Sequence, residues 1–597
     1  MKDFFHIWHL LGKSRKRQSL AVVFLMIISS ISEVVSIGSI LPFLGVITSP
    51  DTVYNHEFAQ PIVDFFGWHN SGEIILPFTI IFVVAILISS SIRILLIYVM
   101  LKLSYAIGAD LSINMYRRTL YQNYATHVAR NSSEIVSGVI SKSALVTGGV
   151  VTPLLYLVSS VIILIGILFI LFYVDPLVTL VSIVLFGSLY VLISVYAKKQ
   201  LKINGERIAH ESTQIVKALQ EGLGNIRDVL LDNRQEYYCQ LYKSADLPLR
   251  HASAVNSFIS TGPRFLMEAV GVSLIAIIAY FISAESGKIE AIIPVLGALA
   301  MGAQRLLPVF QQIYASISTL MGAKSSFNDV VELLDQPLPQ SYEFNTGSKN
   351  VEFNKSIQLD NVCFSYTNET ANILNNIDLT IYKGDVVGFV GETGSGKSTL
   401  VDIIMGLLAP VSGSLQVDNM LIGPEYLSKW QNIIAHVPQS VYLSDASILE
   451  NIAFGVPKSD IDIEKVMLAS KKASIFNTIQ SMPKQFETIV GEQGVRLSGG
   501  QKQRIGIARA LYKESKVIVF DEATSALDDD TEKSVMQAID NLDSNITILI
   551  IAHRISTLKN CNRIFKLSKD SPIVEVEYNN LVNNKWPCLH TNDIKKI

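Results

Sequence analysis

The sequence predicts an α-helical membrane domain of six spans followed by an α/β P-loop nucleotide-binding domain. Three observations carry this. Several apolar runs of about 20 residues, the length that crosses a hydrocarbon core, lie between residues 20 and 320. The stretch VVGFVGETGSGKSTL (386–400) runs from an apolar strand through a glycine-rich turn into a helix. The stretch KVIVFDEATSALD (516–528) is an apolar strand ending on two carboxylates.

A chain of 597 residues exceeds what one core supports, so at least two domains are expected. A mean hydropathy of +0.36 with 17% charged residues is apolar for a soluble protein, and the apolarity is confined to the first half. The expected division is a membrane domain over 1–330, a linker over 331–350 and a nucleotide-binding domain over 351–597. Net charge is −3 with no strongly basic block, which argues against nucleic acid as a partner. Cys239, Cys363, Cys561 and Cys588 lack metal-type spacing and read as reduced thiols.

Membrane spans are expected at 20–47, 74–101, 147–173, 177–197, 265–283 and 289–312. The first is too long for the apolar core of a signal peptide, and five more follow. Basic residues gather before span one (Lys13, Arg15, Lys16, Arg17), between spans two and three (Arg117, Arg118, Arg130, Lys142) and after span four (Lys198, Lys199, Lys202, Arg207). The opposite loops are nearly free of them, so both chain ends are expected in the cytoplasm. The connections 102–146 and 198–264 are long, polar and helix-favouring, so the spans should continue into the cytosol. Phe58, Ile62, Phe65 and Phe66 beside Trp68 mark either a short amphipathic helix on the outer surface or a loop packing its own aromatics.

In the second half, Gly391-Glu392-Thr393-Gly394-Ser395-Gly396-Lys397-Ser398-Thr399 is a P-loop in the strand-to-helix setting it requires. The glycines let backbone N–H groups approach the phosphates of ATP, and the helix adds its positive N-terminal end. Lys397 is expected on the β and γ phosphates, and the Ser398 hydroxyl on Mg²⁺. Val517–Phe520 should form a buried strand that presents Asp521 to Mg²⁺ and Glu522 to the attacking water. The end of the domain, SPIVEVEYNNLVNNKW, reads as a strand and a short helix.

RLSGGQKQR, with Leu497-Ser498-Gly499-Gly500-Gln501, resembles the signature of ATP-binding cassette (ABC) proteins, and the cassette set extends over 351–567. The resemblance implies that Tyr366 stacks on adenine, Gln439 is the Q-loop glutamine on Mg²⁺, and Ser525–Asp528 form the D-loop with Asp528 at the ATP site. It makes His553 the switch histidine on the γ-phosphate. Gly491-Glu492-Gln493-Gly494 is similar to the exporter X-loop, with Gln493 where arginine is usual. Six spans ahead of one cassette resemble an exporter half-transporter, which implies a homodimer with two composite ATP sites. The segments 131–138 and 221–230 are expected as the coupling helices. A non-transport cassette ATPase is excluded by the spans. A gated channel is separated from a pump by vectorial movement.

No extra N-terminal domain with a catalytic cysteine is expected, which argues against a peptide-processing exporter and leaves drug-like amphiphiles, lipid A-type lipids and lipid-linked glycans. Arg93, Arg264 and Arg305 each lie roughly 24–29 Å from the outer end of their spans at 1.5 Å per residue. All three reach one level near the inner headgroups. Doubled in a dimer, they make a ring suited to a diphosphate. Snorkelling, or an i, i+4 pair between Arg264 and Glu268, is the competing account. The span-one stretch with Glu33 and Pro42 and the three arginine contexts resemble the PglK-type lipid-linked oligosaccharide flippases. That resemblance implies an ATP-driven flippase for a polyprenyl-diphosphate-linked oligosaccharide in a bacterial inner membrane, bound through Arg93, Arg264 and Arg305. The alternative is a lipid A-type or multidrug amphiphile exporter.

Overall fold

The computed structural model describes residues 8–583 apart from 10, 49, 56–59, 61–67, 175, 287–288, 339–350, 367–370, 522–531, 534–535, 538, 540–543, 553 and 570. Glu522, Asp528, His553 and the Phe58–Phe66 pattern therefore lie outside the described residues. The chain forms two compact units, one of residues 1–122 and 130–337, the other of residues 123–129 and 338–597.

The first unit is all helical. α1 (Lys13–Gly38) and α2 (Ile40–Thr48) carry the first span, and α3 (Ile75–Leu120) the second. After α4 (Tyr124–Ala129), which belongs to the other unit, residues 132–151 alternate α with two π-helical segments, Gly138–Lys142 and Thr147–Val151. They lead into α5 (Thr152–Val174). α6 (Pro176–Gly224), α7 (Ile226–Leu231), α8 (Gln235–Thr261), α9 (Pro263–Ser286) and α10 (Ile289–Leu334) complete the unit. Among the described residues, helices over 13–48, 71–120, 132–172 and 183–224 are long and apolar enough to span a membrane. α9 and α10 run through the fifth and sixth expected spans.

Helix length decides how far each span continues. The 46 residues of α3 extend about 69 Å at 1.5 Å per residue, more than twice a hydrocarbon core of about 30 Å. α6 is longer still at 49 residues, so the long connections are helical, as their composition predicts. α10 also runs on to Leu334, into the stretch expected as linker, because Phe327, Val330, Leu333 and Leu334 continue its buried face.

Between apolar helices in lipid, association rests on close packing and polar contacts rather than on burial from water. Small residues supply the approach. A Cβ on Gly166 would lie 2.7 Å from the Ser30 hydroxyl of α1, and one on Gly205 would strike the Gly322 carbonyl of α10. The Ser30 hydroxyl donates to the Ile162 carbonyl of α5 at 3.1 Å.

The second unit contains two sheets. β1 (Ser356–Phe364), β2 (Leu374–Tyr382), β4 (Ser412–Val417) and β5 (Met420–Leu421) form an antiparallel sheet in the order β2-β1-β4-β5. β3 (Val386–Gly391), β6 (Ile434–Val437), β7 (Val517–Asp521), β8 (Thr547–Ile551), β9 (Arg563–Ser568) and β10 (Ser571–Glu575) form the other, ordered β10-β9-β3-β8-β7-β6. β6, β7, β8, β3 and β9 are parallel, and their near-continuous apolar sequences fit a sheet covered on both faces. Val517–Phe520 is the buried strand expected from sequence. β10 and a helix over Tyr578–Asn583 match the strand and helix read in the last segment.

Trp430 anchors one core of this unit. It is fully buried, stands edge-on to Phe353, and its indole N–H donates to the Ile404 carbonyl at 2.8 Å. Trp430→Ala should cost about 3–5 kcal/mol, as expected for truncating a buried aromatic. Trp430→Phe, which keeps an aromatic ring but loses the pyrrole half and its N–H donor, should cost less. Melting curves of the purified full-length protein check the order.

Candidate nucleotide and substrate sites

The turn after β3 is held open by backbone conformation. Gly394 and Gly396 have φ of +84° and +91°, the left-handed region that side chains with a Cβ avoid. A Cβ on Gly396 would also lie 2.8 Å from Leu374 Cδ2. α11 (Lys397–Ile404) starts directly after this turn. Lys397 folds back over the loop, its Nζ donating to the carbonyls of Gly391 (2.8 Å) and Glu392 (2.9 Å). The Ser395 hydroxyl is buried and has no hydrogen-bond partner among the described residues, an unmet polar group inside the cradle. Ser398 is exposed on the first turn of α11, whereas Thr399 is buried. Together these features fit a bound phosphate chain.

Tyr366 stands edge-on to Phe364, and its hydroxyl lies 3.3 Å from Thr399 Oγ1. The aromatic expected on adenine is thus tethered to the P-loop helix and half exposed. Asp521 ends β7, separated from β3 by β8, which puts it at the same strand edge as the P-loop. It acts electrostatically on Asp402 of α11, whose carboxyl is pushed up to about 6, first by burial and then by Asp521. Tyr124 of α4 joins this group: burial first, then Asp402, Tyr366 and Asp521, raise its phenol above the usual value.

Asp402 and Tyr124 were not read from sequence as site residues. Asp402 had a signal, as an acid set among Leu400, Val401, Ile403 and Ile404. Tyr124 had none, because only the fold returns α4 to the nucleotide-binding unit. By contact, residues 123–129 group with the nucleotide-binding unit, just ahead of the expected coupling segment 131–138. Residues 132–137 lie in the helical unit, where Ser133 and Ser137 are buried. The second expected segment, 221–230, contains the break at Gly224 and most of α7, with Ile226, Leu230 and Leu231 exposed.

Ser498 caps α12 (Gly499–Tyr512) in a reciprocal box. Its hydroxyl accepts from Gln501 N at 3.3 Å, and Gln501 Oε1 accepts from Ser498 N at 3.0 Å. That leaves the N–H groups of Gly499 and Gly500 and the Ser498 O–H directed off the helix end, an anion-binding terminus. Among the described residues, Ser498–Gln501 make no hydrogen bond to the P-loop of the same chain. Lys502 donates to the Gln493 carbonyl at 2.9 Å, which joins the segment in the X-loop position to this helix. Gln439 is exposed just beyond β6.

The donors expected for Mg²⁺, a Ser398 hydroxyl, the Gln439 amide oxygen and the Asp521 carboxylate, are all oxygens, as this hard cation prefers. No cluster of three or more His, Cys, Asp or Glu occurs among the described residues. The donor set therefore suits a metal shared with phosphates rather than one caged by protein.

In the helical unit, Glu33 of α1 is 4% exposed and accepts a hydrogen bond from Ser89 of α3 at 3.0 Å. Arg93 Nη1 lies 3.8 Å from Glu33 Oε1. Arg264 Nε donates to Glu268 Oε1 at 2.6 Å. Two of the three membrane arginines thus have carboxylate partners. Arg264 and Glu268 also line a small cavity of about 170 Å³ with Tyr190, Pro308 and Gln311. Arg305 lies on α10, one turn before Pro308.

A phosphate-binding cassette with a signature helix, fused to a bundle of membrane-length helices, defines an ATP-hydrolysing membrane exporter. The pattern described as ABC transporter matches residues 374–525, and that described as ABC transporter transmembrane region matches residues 19–296. The chain belongs to the ABC transporters, as a half-transporter with one membrane domain and one cassette. It is similar to the ATP-dependent lipid A-core flippase of Shewanella denitrificans, 28% identical over 486 residues, covering 80% of each chain. The protein of the same name from Cupriavidus metallidurans is 28% identical over 477 residues, 79% of each. A solved bacterial Atm1-family ABC exporter with ATP bound has the same fold, with a TM-score of 0.77 at 20% identity over 95% of this chain and 96% of that one.

Asp402 gives a signed pH test. A carboxyl whose folded value is raised weakens the fold above that value, and the penalty fades as pH falls through 6 toward its ordinary value near 3.8. Asp402→Asn should therefore raise the melting temperature of the nucleotide-free protein at pH 7.5. The gain should shrink as pH falls from 6 to 4.

Proposed function

We propose that this exporter acts as a homodimer in a bacterial inner membrane and flips a saccharide-bearing lipid of the lipid A type from the cytoplasmic to the outer leaflet. The observation that carries the reading is the likeness to two lipid A-core flippases over about four-fifths of each chain. It favours the alternative of the sequence reading over a polyprenyl-diphosphate oligosaccharide. The polyprenyl-diphosphate glycan remains the second reading, supported by the three arginine contexts around Arg93, Arg264 and Arg305.

In this mechanism Ser498–Gln501 of one protomer closes over ATP on the partner's P-loop. Glu522 polarises the attacking water, His553 contacts the γ-phosphate and Asp528 lines the closed site. Lys397 and the loop N–H groups hold the phosphates. Ser398, Gln439 and Asp521 would hold Mg²⁺, which would supply Lewis-acid neutralisation of phosphate charge. Closure and opening are passed to the helices through α4 and the 221–230 segment, and bias them between inward-facing and outward-facing states. Both termini lie in the cytoplasm under the positive-inside bias.

Proteoliposomes with fluorescent lipids test this. A lipid A-type glycolipid should lose label from one leaflet only with ATP, and Glu522→Gln should reduce that to background. Movement of a polyprenyl-diphosphate glycan alone, lost in Arg305→Ala, would select the second reading. Equal ATP-dependent movement of glycan-free amphiphiles would overturn both.

A further inference from the structure

The helix over 132–174 is irregular at Gly138–Lys142 and Thr147–Val151, where it adopts π geometry. Such turns are rare and tend to mark functional sites. Here they border a cavity of about 490 Å³ between this helix, α6, α8 and α10. Its walls carry no charged and no aromatic side chain, yet seven of the fifteen lining residues bear hydroxyls.

Some of these groups are spent locally. Ser260 donates to the Asn256 carbonyl at 2.9 Å, and Thr319 to the Ala315 carbonyl at 2.8 Å. The hydroxyls of Ser141, Ser253 and Ser257 make no hydrogen bond within the protein among the described residues. A relay of amides ends at the same wall. Gln200 Nε2 donates to Asn204 Oδ1 at 3.2 Å, and Asn204 Nδ2 donates to Asn256 Oδ1 at 2.9 Å. In that order Asn256 is the acceptor, and its own NH₂ makes no hydrogen bond among the described residues. Gly322 keeps it open, because a Cβ there would stand 3.0 Å from Asn256 Nδ2.

Three hydroxyls that can both donate and accept, one oriented amide donor and glycine-smooth apolar walls match a ligand of alternating hydroxyls and C–H faces. An anion would find no cation to pair with, and a flat drug no aromatic surface. The volume lies within the roughly 300–1,000 Å³ usual for small-ligand sites. We infer that this cavity is a binding site for a neutral saccharide, with Asn256, Ser141, Ser253 and Ser257 as its polar contacts.

Asn256 precedes Arg264 by eight residues, about 12 Å along α8 and α9 at 1.5 Å per residue. A lipid seated with its sugar in the cavity can therefore present its phosphate toward Arg264. This placement rests on the flippase reading, whereas the saccharide site does not.

The test uses full-length protein in nanodiscs, with di-N-acetylchitobiose as a neutral disaccharide probe and pyrophosphate as the charged control. Titration calorimetry should give saturable disaccharide binding and none for pyrophosphate that depends on Asn256. The double variant Ser253→Val/Ser257→Val, whose hydroxyls hold nothing in the fold, should weaken disaccharide binding about tenfold or more, the loss of one good hydrogen bond. Its melting temperature and basal ATPase should be unchanged. Asn256→Leu should weaken binding at least as much. No saturable disaccharide binding, or binding unchanged in both variants, overturns the site. The flippase reading fails separately: disaccharide binding that responds to the variants, with no lipid moved in liposomes, leaves the cavity standing and that reading fallen. Lipid flipping with no disaccharide binding does the reverse.

Discussion

The left-handed turn at Gly394–Gly396 is the constraint on which the rest of the cassette depends. It lets β3 end and α11 begin within a few residues, so that N–H groups, the Lys397 ammonium and an unmet Ser395 hydroxyl face one small volume. The parallel order β9-β3-β8-β7 then brings Asp521 to the same edge of the sheet. Neither glycine can be replaced without strain, and Gly396 has no room for a side chain even if strain were accepted.

The helical unit obeys a different constraint, that charge in an apolar medium must find a partner. Glu33 meets it by burial against Ser89 with Arg93 close by, and Arg264 meets it one helical turn away at Glu268. These pairs recast the arginine belt expected from sequence. Depth along the spans is an expectation that sequence allows, because helical rise is constant. Partner choice was not: Glu33 and Arg93 are sixty residues apart and meet only when α1 packs on α3. The Arg264–Glu268 pair, local to one helix, was readable from its i, i+4 spacing.

The cassette was the more legible half. Its motifs are short, contiguous and tied to a backbone shape, so the turn at Gly391–Thr399, the strand ending at Asp521 and the helix start at Ser498–Gln501 could be placed by position. That 123–129 groups with the cassette while 132–137 stays with the bundle was not readable, because nothing in HVARNSSEIVSG separates the two segments. Which side of the junction a short helix joins is a packing result.

The sequence by itself determined that apolar helices of membrane length precede an α/β cassette with a glycine-rich strand-to-helix turn, because apolar length and turn-forming glycines act locally. Tertiary structure alone decided that Tyr124 and Asp402 join the nucleotide site. It decided also that Glu33 partners Arg93 and that Asn204 orients Asn256. Each of these links residues far apart in the chain, and their interaction energies exist only once the helices and strands that carry them have packed.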